Sequence, residues 1–148
     1  MRKFFWIVLV LSSAAARDSA AQTVSCSVSA SSVSFGTIGI LDTAVDSTGD
    51  LAVTCTSGAS YTVGLNGGLA NAQPTARLIS NGATTIRYGL YKDAARSQPW
   101  GDETVPNGTQ SGTGTGQAQS FTIYGRIPAQ MSPIPGVYTD TIMVTVTY

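Results

Sequence analysis

Residues Val137–Tyr148 read VYTDTIMVTVTY. The even positions are Tyr138, Asp140, Ile142, Val144, Val146 and Tyr148; the odd ones are Thr139, Thr141, Met143, Thr145 and Thr147. Side chains alternate across a strand, so this segment predicts one long β-strand with an apolar face and a threonine-rich face. A slip of one residue would bury the threonines, which specifies the register. Pro133 and Pro135 lack the backbone N–H that a ladder needs and stop pairing just before it.

The same two-residue period recurs upstream. Ser120–Ile127 places Phe121, Ile123 and Ile127 on one face, and Thr84–Lys92 does so with Ile86, Tyr88 and Leu90. Tyr61–Leu65 carries Tyr61, Val63 and Leu65 and ends at the turn Asn66-Gly67-Gly68. Asp50–Thr56 carries Leu51, Val53 and Cys55 and ends at Ser57-Gly58. The first strand is expected at Thr23–Ala30, extending to Phe35, with Val24, Cys26 and Val28 on one face. Asn107–Gln119 is polar and low in complexity and reads as a mobile loop. Its glycines suggest a phosphate cradle only if a lysine and a helix follow, and neither does.

Composition agrees with an all-β chain. The 148 residues are 43% hydrophobic and 11% charged, with 16 glycines and zero net charge. There is no basic footprint for nucleic acid. Histidine is absent, which removes the commonest general base and the commonest metal ligand.

Arg2-Lys3, the apolar run Phe4–Leu11 and the small-residue tract after it have the layout of a secretory signal peptide. The eight-residue apolar run is too short to cross a bilayer, which takes about 20 residues. Cleavage is expected after Ala21, with Ala16 as the alternative. Residues 1–21 are thus read as a leader and 22–148 as one domain, with no membrane span after cleavage. That domain holds five basic and seven acidic residues.

Cys26 and Cys55 are the only cysteines, and export places them where a disulfide forms. Two thiolates without histidine cannot close a zinc site. The strands and turns at this spacing predict an all-β, incomplete immunoglobulin-like β-sandwich of about six to seven strands lacking its final strand, with one disulfide. The last strand pattern runs to Tyr148, so an apolar edge is expected to need a cover.

Three blocks carry a resemblance. They are Ile86-Arg87-Tyr88-Gly89-Leu90-Tyr91-Lys92-Asp93 with Arg96 and Trp100-Gly101, then Tyr124-Gly125-Arg126-Ile127-Pro128, then Gly136–Thr141 leading into Val144-Thr145-Val146. In order and spacing, and with the cysteine pair, they resemble the spore coat protein U family, which overlaps the subunits of archaic chaperone–usher pili. The resemblance implies a hydrophobic groove between the first and last strands. A periplasmic chaperone lends it a strand, and another pilus subunit, delivered through an outer-membrane usher, replaces that strand. Carried over, the strand-acceptor groove uses Ile142, Val144, Val146 and Tyr148 on one side and Val24 and Val28 on the other. The implied setting is a pilus or coat at the cell surface, with adhesion and biofilm as contexts. Only Gln22–Ser25 separate Ala21 from Cys26, about 13 Å of strand. That predicts a strand acceptor that donates poorly, as a tip or minor subunit.

An enzyme needs a nucleophile–base set, and no such set is visible. Asp42, Asp46 and Asp50 recur every fourth residue, a looser spacing than calcium loops use, and read as a polar connection. No cofactor is expected. Tyr91, Trp100 and Tyr124 are candidate surface-contact residues. They leave as the alternative a self-sufficient secreted coat or surface- or carbohydrate-binding β-sandwich. Arg77, Arg87, Lys92, Arg96 and Arg126 are scattered singly, with Arg87 and Arg126 sharing an outward parity and expected to pair with Asp93, Asp140 or another acid.

Overall fold

Leu51, Val53 and Cys55, alternate residues of one strand, are fully buried, and their neighbours Ala52 and Thr54 are half-buried on the opposite face. That alternation organises the whole chain. The computed structural model describes residues 22–131 and 133–148, so the expected leader, 1–21, lies outside the described residues. In chain order the strands are β1 (Cys26–Ala30), β2 (Thr37–Ile38), β3 (Val45–Cys55), β4 (Ser60–Leu65) and β5 (Arg77–Asn81). There follow β6 (Thr84–Tyr91), β7 (Gln110–Thr113), β8 (Ala118–Ile127), β9 (Gly136–Val137) and β10 (Val144–Thr147). No helix occurs among the described residues.

A five-stranded sheet runs β1-β3-β8-β6-β5, and a three-stranded sheet runs β10-β4-β7. A short pair, β2 with β9, joins Thr37 to Val137 and Ile38 to Gly136. All the pairings are antiparallel. Between the sheets lie Leu51, Val53, Ile79, Ile86, Tyr88, Leu90, Ile123 and Ile127 from the larger one and Tyr61, Val63 and Leu65 from the smaller. Cys26 and Cys55 are direct cross-strand partners and form the disulfide, which closes β1 onto β3.

Several elements depart from the expectations. The strand holding Leu51 begins at Val45, so Asp46 and Asp50 lie on its outward face rather than in a connection. The first strand leaves its ladder after Ala30; Phe35 is not part of it. β5 was not anticipated. It pairs with β6 through a Gly82-Ala83 turn in which Gly82 takes a φ of 57°, a conformation glycine adopts readily.

The segment read as a mobile loop contains β7, paired with β4 from Ser60–Thr113 to Val63–Gln110. Gly112 and Gly114 permit close approach. A Cβ on Gly114 would lie 2.2 Å from the Thr56 carbonyl oxygen. The long strand over 137–148 is broken into β9 and β10, because β4 ends at Leu65, opposite Val144. Between the two, Thr139 bonds instead to Ser80 of β5, N to O in both directions (2.8 and 3.0 Å). The alternation nevertheless persists. Tyr138 is buried, and Asp140, Ile142, Val144 and Val146 are half-buried between exposed neighbours.

Candidate functional site

The segment that leads from β1 to β2 and the segment that leads from β9 to β10 are joined by the β2–β9 pair. Between them lies a groove of about 670 Å³. One wall is the segment Ala30–Thr37, and the other is Val137–Ile142 with Val144. Leu65, Ile79, Tyr88, Leu90 and Ile123 form the floor. Among the described residues β10 pairs only with β4, so its other edge carries no strand. A sheet edge beside an apolar trough is chemically suited to receive an extended peptide: backbone groups hydrogen-bond to the edge and alternate side chains enter the trough.

Of the groove residues expected from the sequence, Ile142 and Val144 line the cavity. Val146 continues β10 beyond it, half-buried against the core. Val28, opposite Val53 in the β1–β3 ladder, and Val24 remain 43% and 46% exposed and do not line it. Tyr148 is exposed and borders a separate shallow hollow with Ser60–Thr62 and Ser111–Thr113. The inner wall was missed. Val33 and Phe35 pack against the core from the segment after β1, and their alternation in Val33-Ser34-Phe35 was the available signal.

Polar groups fasten the outer wall. The Tyr88 hydroxyl donates to Asp140 Oδ2 (2.7 Å), and Asp140 Oδ1 accepts from the backbone N–H groups of Leu69 (2.9 Å) and Thr141 (2.8 Å). Burial, and then the bond to Asp140, push the Tyr88 phenol far above its usual range. Asn66 Oδ1 accepts from Met143 N (2.9 Å), tying the start of β10 to the turn after β4.

Arg77 lies inside the fold. It is fully buried on β5 and donates to four carbonyls: Asn66 (2.8 Å), Pro74 (2.6 Å), Leu65 (2.9 Å) and Trp100 (2.8 Å). Burial lowers its pKa, and the nearby Tyr88 and Asp140 work in the opposite direction.

The expected aromatic patch is corrected in one member. Trp100 is 0% exposed, because its loop folds back onto the sandwich: Trp100 N bonds to Leu90 O (2.8 Å) and its indole N–H to Val63 O (3.0 Å). Tyr91 and Tyr124 are cross-strand partners and half-buried on the outward face of the large sheet. Arg96 lies 5.7 Å from the Tyr124 ring centre. The acid that Arg126 meets is Asp46, in a two-pronged pair (2.7 and 2.7 Å), with Arg96 3.3 Å away. Asp93 instead accepts from Ser97 and Gln98 in its own loop, and Asp140 from Tyr88. No group of three or more acidic or cysteine ligands that could hold a metal occurs among the described residues.

The model of the Spore Coat Protein U domain matches residues 12–145. Protein U of Myxococcus xanthus is 31% identical over 113 residues, covering 68% of this chain and 59% of that protein. The chain is also similar in fold to a chain of the chaperone–tip adhesion subunit pre-assembly complex from the archaic chaperone-usher Csu pili of Acinetobacter baumannii. There the TM-score is 0.63 at 24% identity, over 85% of this chain and 40% of that one. The chain thus spans less than two thirds of either relative's length. An all-β sandwich whose edge strand has one free edge and whose first strand is disulfide-linked to β3, matched over residues 12–145, this chain belongs to the Spore Coat Protein U domain family.

Proposed function

We propose that this chain is an exported structural subunit of a cell-surface pilus or coat, without a catalytic role, that is completed by a strand from another molecule. A periplasmic chaperone supplies that strand first. A second subunit, handed over at an outer-membrane usher, replaces it. The observation that carries this reading is the groove of about 670 Å³ between Ala30–Thr37 and Val137–Val144, beside the free edge of β10. The family match and the fold shared with a chain from a chaperone–subunit complex support it. Cleavage after Ala21 would leave four residues before Cys26, too short a segment to fill a neighbour's groove, hence a tip or minor position.

Co-expression with a periplasmic chaperone from a chaperone–usher system, followed by pull-down, tests this. The wild-type chain should co-purify with the chaperone. Ile142→Arg, which places a cation in the wall, should not, while its disulfide still forms. A wild-type chain that is secreted, folded and monomeric without any partner would favour the alternative, a self-sufficient coat or surface-binding sandwich.

A further inference from the structure

Two glycines stand on the inner face of the large sheet, directly behind the inner wall of the groove. Gly49 of β3 shares the inward parity of Leu51 and Val53, and Gly125 of β8 that of Ile123 and Ile127. A Cβ on Gly49 would lie 2.9 Å from Val33 Cγ2 and 3.2 Å from the carbonyl oxygens of Ser31 and Ser32. One on Gly125 would lie 2.7 Å from Val33 Cγ1 and 2.8 Å from Phe35 Cζ. Both distances to Val33 are below ordinary contact, so Val33 and Phe35 sit in notches that only glycine leaves open.

A methyl group added there has two outcomes: the sheet bends or the wall moves. The sheet is held by the β3–β8 ladder, which runs unbroken from Val45–Ile127 to Thr54–Ala118. The wall is laddered only at its ends, Ala30 opposite Leu51 and Thr37 opposite Val137, and between them Ser31–Gly36 has no ladder. Ser31 bonds to Asp50 through its backbone N–H (2.8 Å), and its hydroxyl accepts from Asp50 N (2.8 Å). Ser47 Oγ donates to the Ser34 carbonyl (2.5 Å). With so few ties, the wall yields first, and it yields away from the sheet, into the groove that it lines.

We propose that Gly49 and Gly125 set the bore of the acceptor groove, and through it the size of the apolar side chains an incoming strand can carry. This rests on the acceptor reading above. The pair are positioning residues that act through Val33 and Phe35, and they tune the groove for large aliphatic side chains.

The test uses the purified chain and two synthetic extended peptides. One alternates isoleucine with threonine; the other has alanine in place of isoleucine. The wild-type chain should prefer the isoleucine peptide. Gly49→Ala should weaken that peptide about tenfold or more and the alanine peptide much less, as overpacking predicts. Adding Val33→Ala to Gly49→Ala removes the nearest clash and should restore isoleucine-peptide affinity to within about threefold of wild type. A general loss of stability would lower both peptides together and would not be rescued by a second core truncation. Equal affinities for Gly49→Ala and wild type, or a loss that Val33→Ala does not reverse, would overturn the inference alone. A wild-type chain that binds neither peptide would overturn the acceptor reading and this one with it.

Discussion

Tyr88 and Asp140, 52 residues apart, are joined by a 2.7 Å hydrogen bond from the phenolic hydroxyl to the carboxylate. It links the floor of the groove to its outer wall. Tyr88 also meets Phe35 edge-on, with ring centres 6.2 Å apart, so one ring touches both walls. Tyr88→Phe keeps the ring and removes only the hydroxyl, leaving a part-buried carboxylate oxygen without its donor. The expected cost is about 1–2 kcal/mol, read from a urea midpoint that falls with an unchanged slope.

Arg77 holds four backbone carbonyls with one rigid fork. Arg77→Met would strand all four in or near the core. A loss of roughly 3 kcal/mol or more is expected, and Arg77→Lys should recover only part of it, since an ammonium cannot reproduce the planar fork. Chemical denaturation of the two variants decides this; equal stability of the lysine variant and wild type would refute it.

The disulfide spans 29 residues and anchors an edge strand, β1, to β3. On the chain-entropy account it contributes roughly 3–4 kcal/mol. Reduction, or the pair Cys26→Ser with Cys55→Ser, should lower the thermal midpoint and release β1 first. Hydrogen exchange would show this as early loss of protection at Ser27–Ala30.

Acid should destabilise the fold through two carboxylates. The hydrogen bond from Arg126 holds the Asp46 carboxyl below its ordinary 3.8, and the Gln98 N–H, followed by Ser97, does the same for Asp93. A carboxyl whose pKa is lower in the folded chain stabilises it above the unfolded value, and that contribution disappears as pH falls through the folded one. The thermal midpoint should therefore hold near neutrality and fall once pH drops below about 4. Asp46→Asn and Asp93→Asn should each flatten that acid limb; a limb unchanged in both would assign it to other groups.

Alternation made most of the sandwich legible. The inward residues of β3, β4, β6 and β8 could be named from period-two patterns alone, because each strand buries one face. What escaped were features made by contacts distant in the chain. Trp100 is buried only because its loop returns to β4, 37 residues upstream. Arg77 is buried only because four carbonyls converge on it, which no local pattern announces. The break between β9 and β10 depends on where β4 ends, so one continuous pattern became two short strands. Ile142 and Val144 line the groove, whereas Val28, on β1, and Val24, which precedes β1, lie outside it.

The most direct measurement is amide hydrogen exchange along Tyr138–Thr147 while an extended peptide of alternating isoleucine and threonine is titrated into the purified chain. An incoming strand at the free edge of β10 should slow exchange at alternate residues around Ile142–Val146 and leave the β4–β7 ladder as it was. Exchange that stays the same at saturating peptide, or a structure in which another segment of this same chain already lies along the edge of β10 that faces away from β4, would contradict the account.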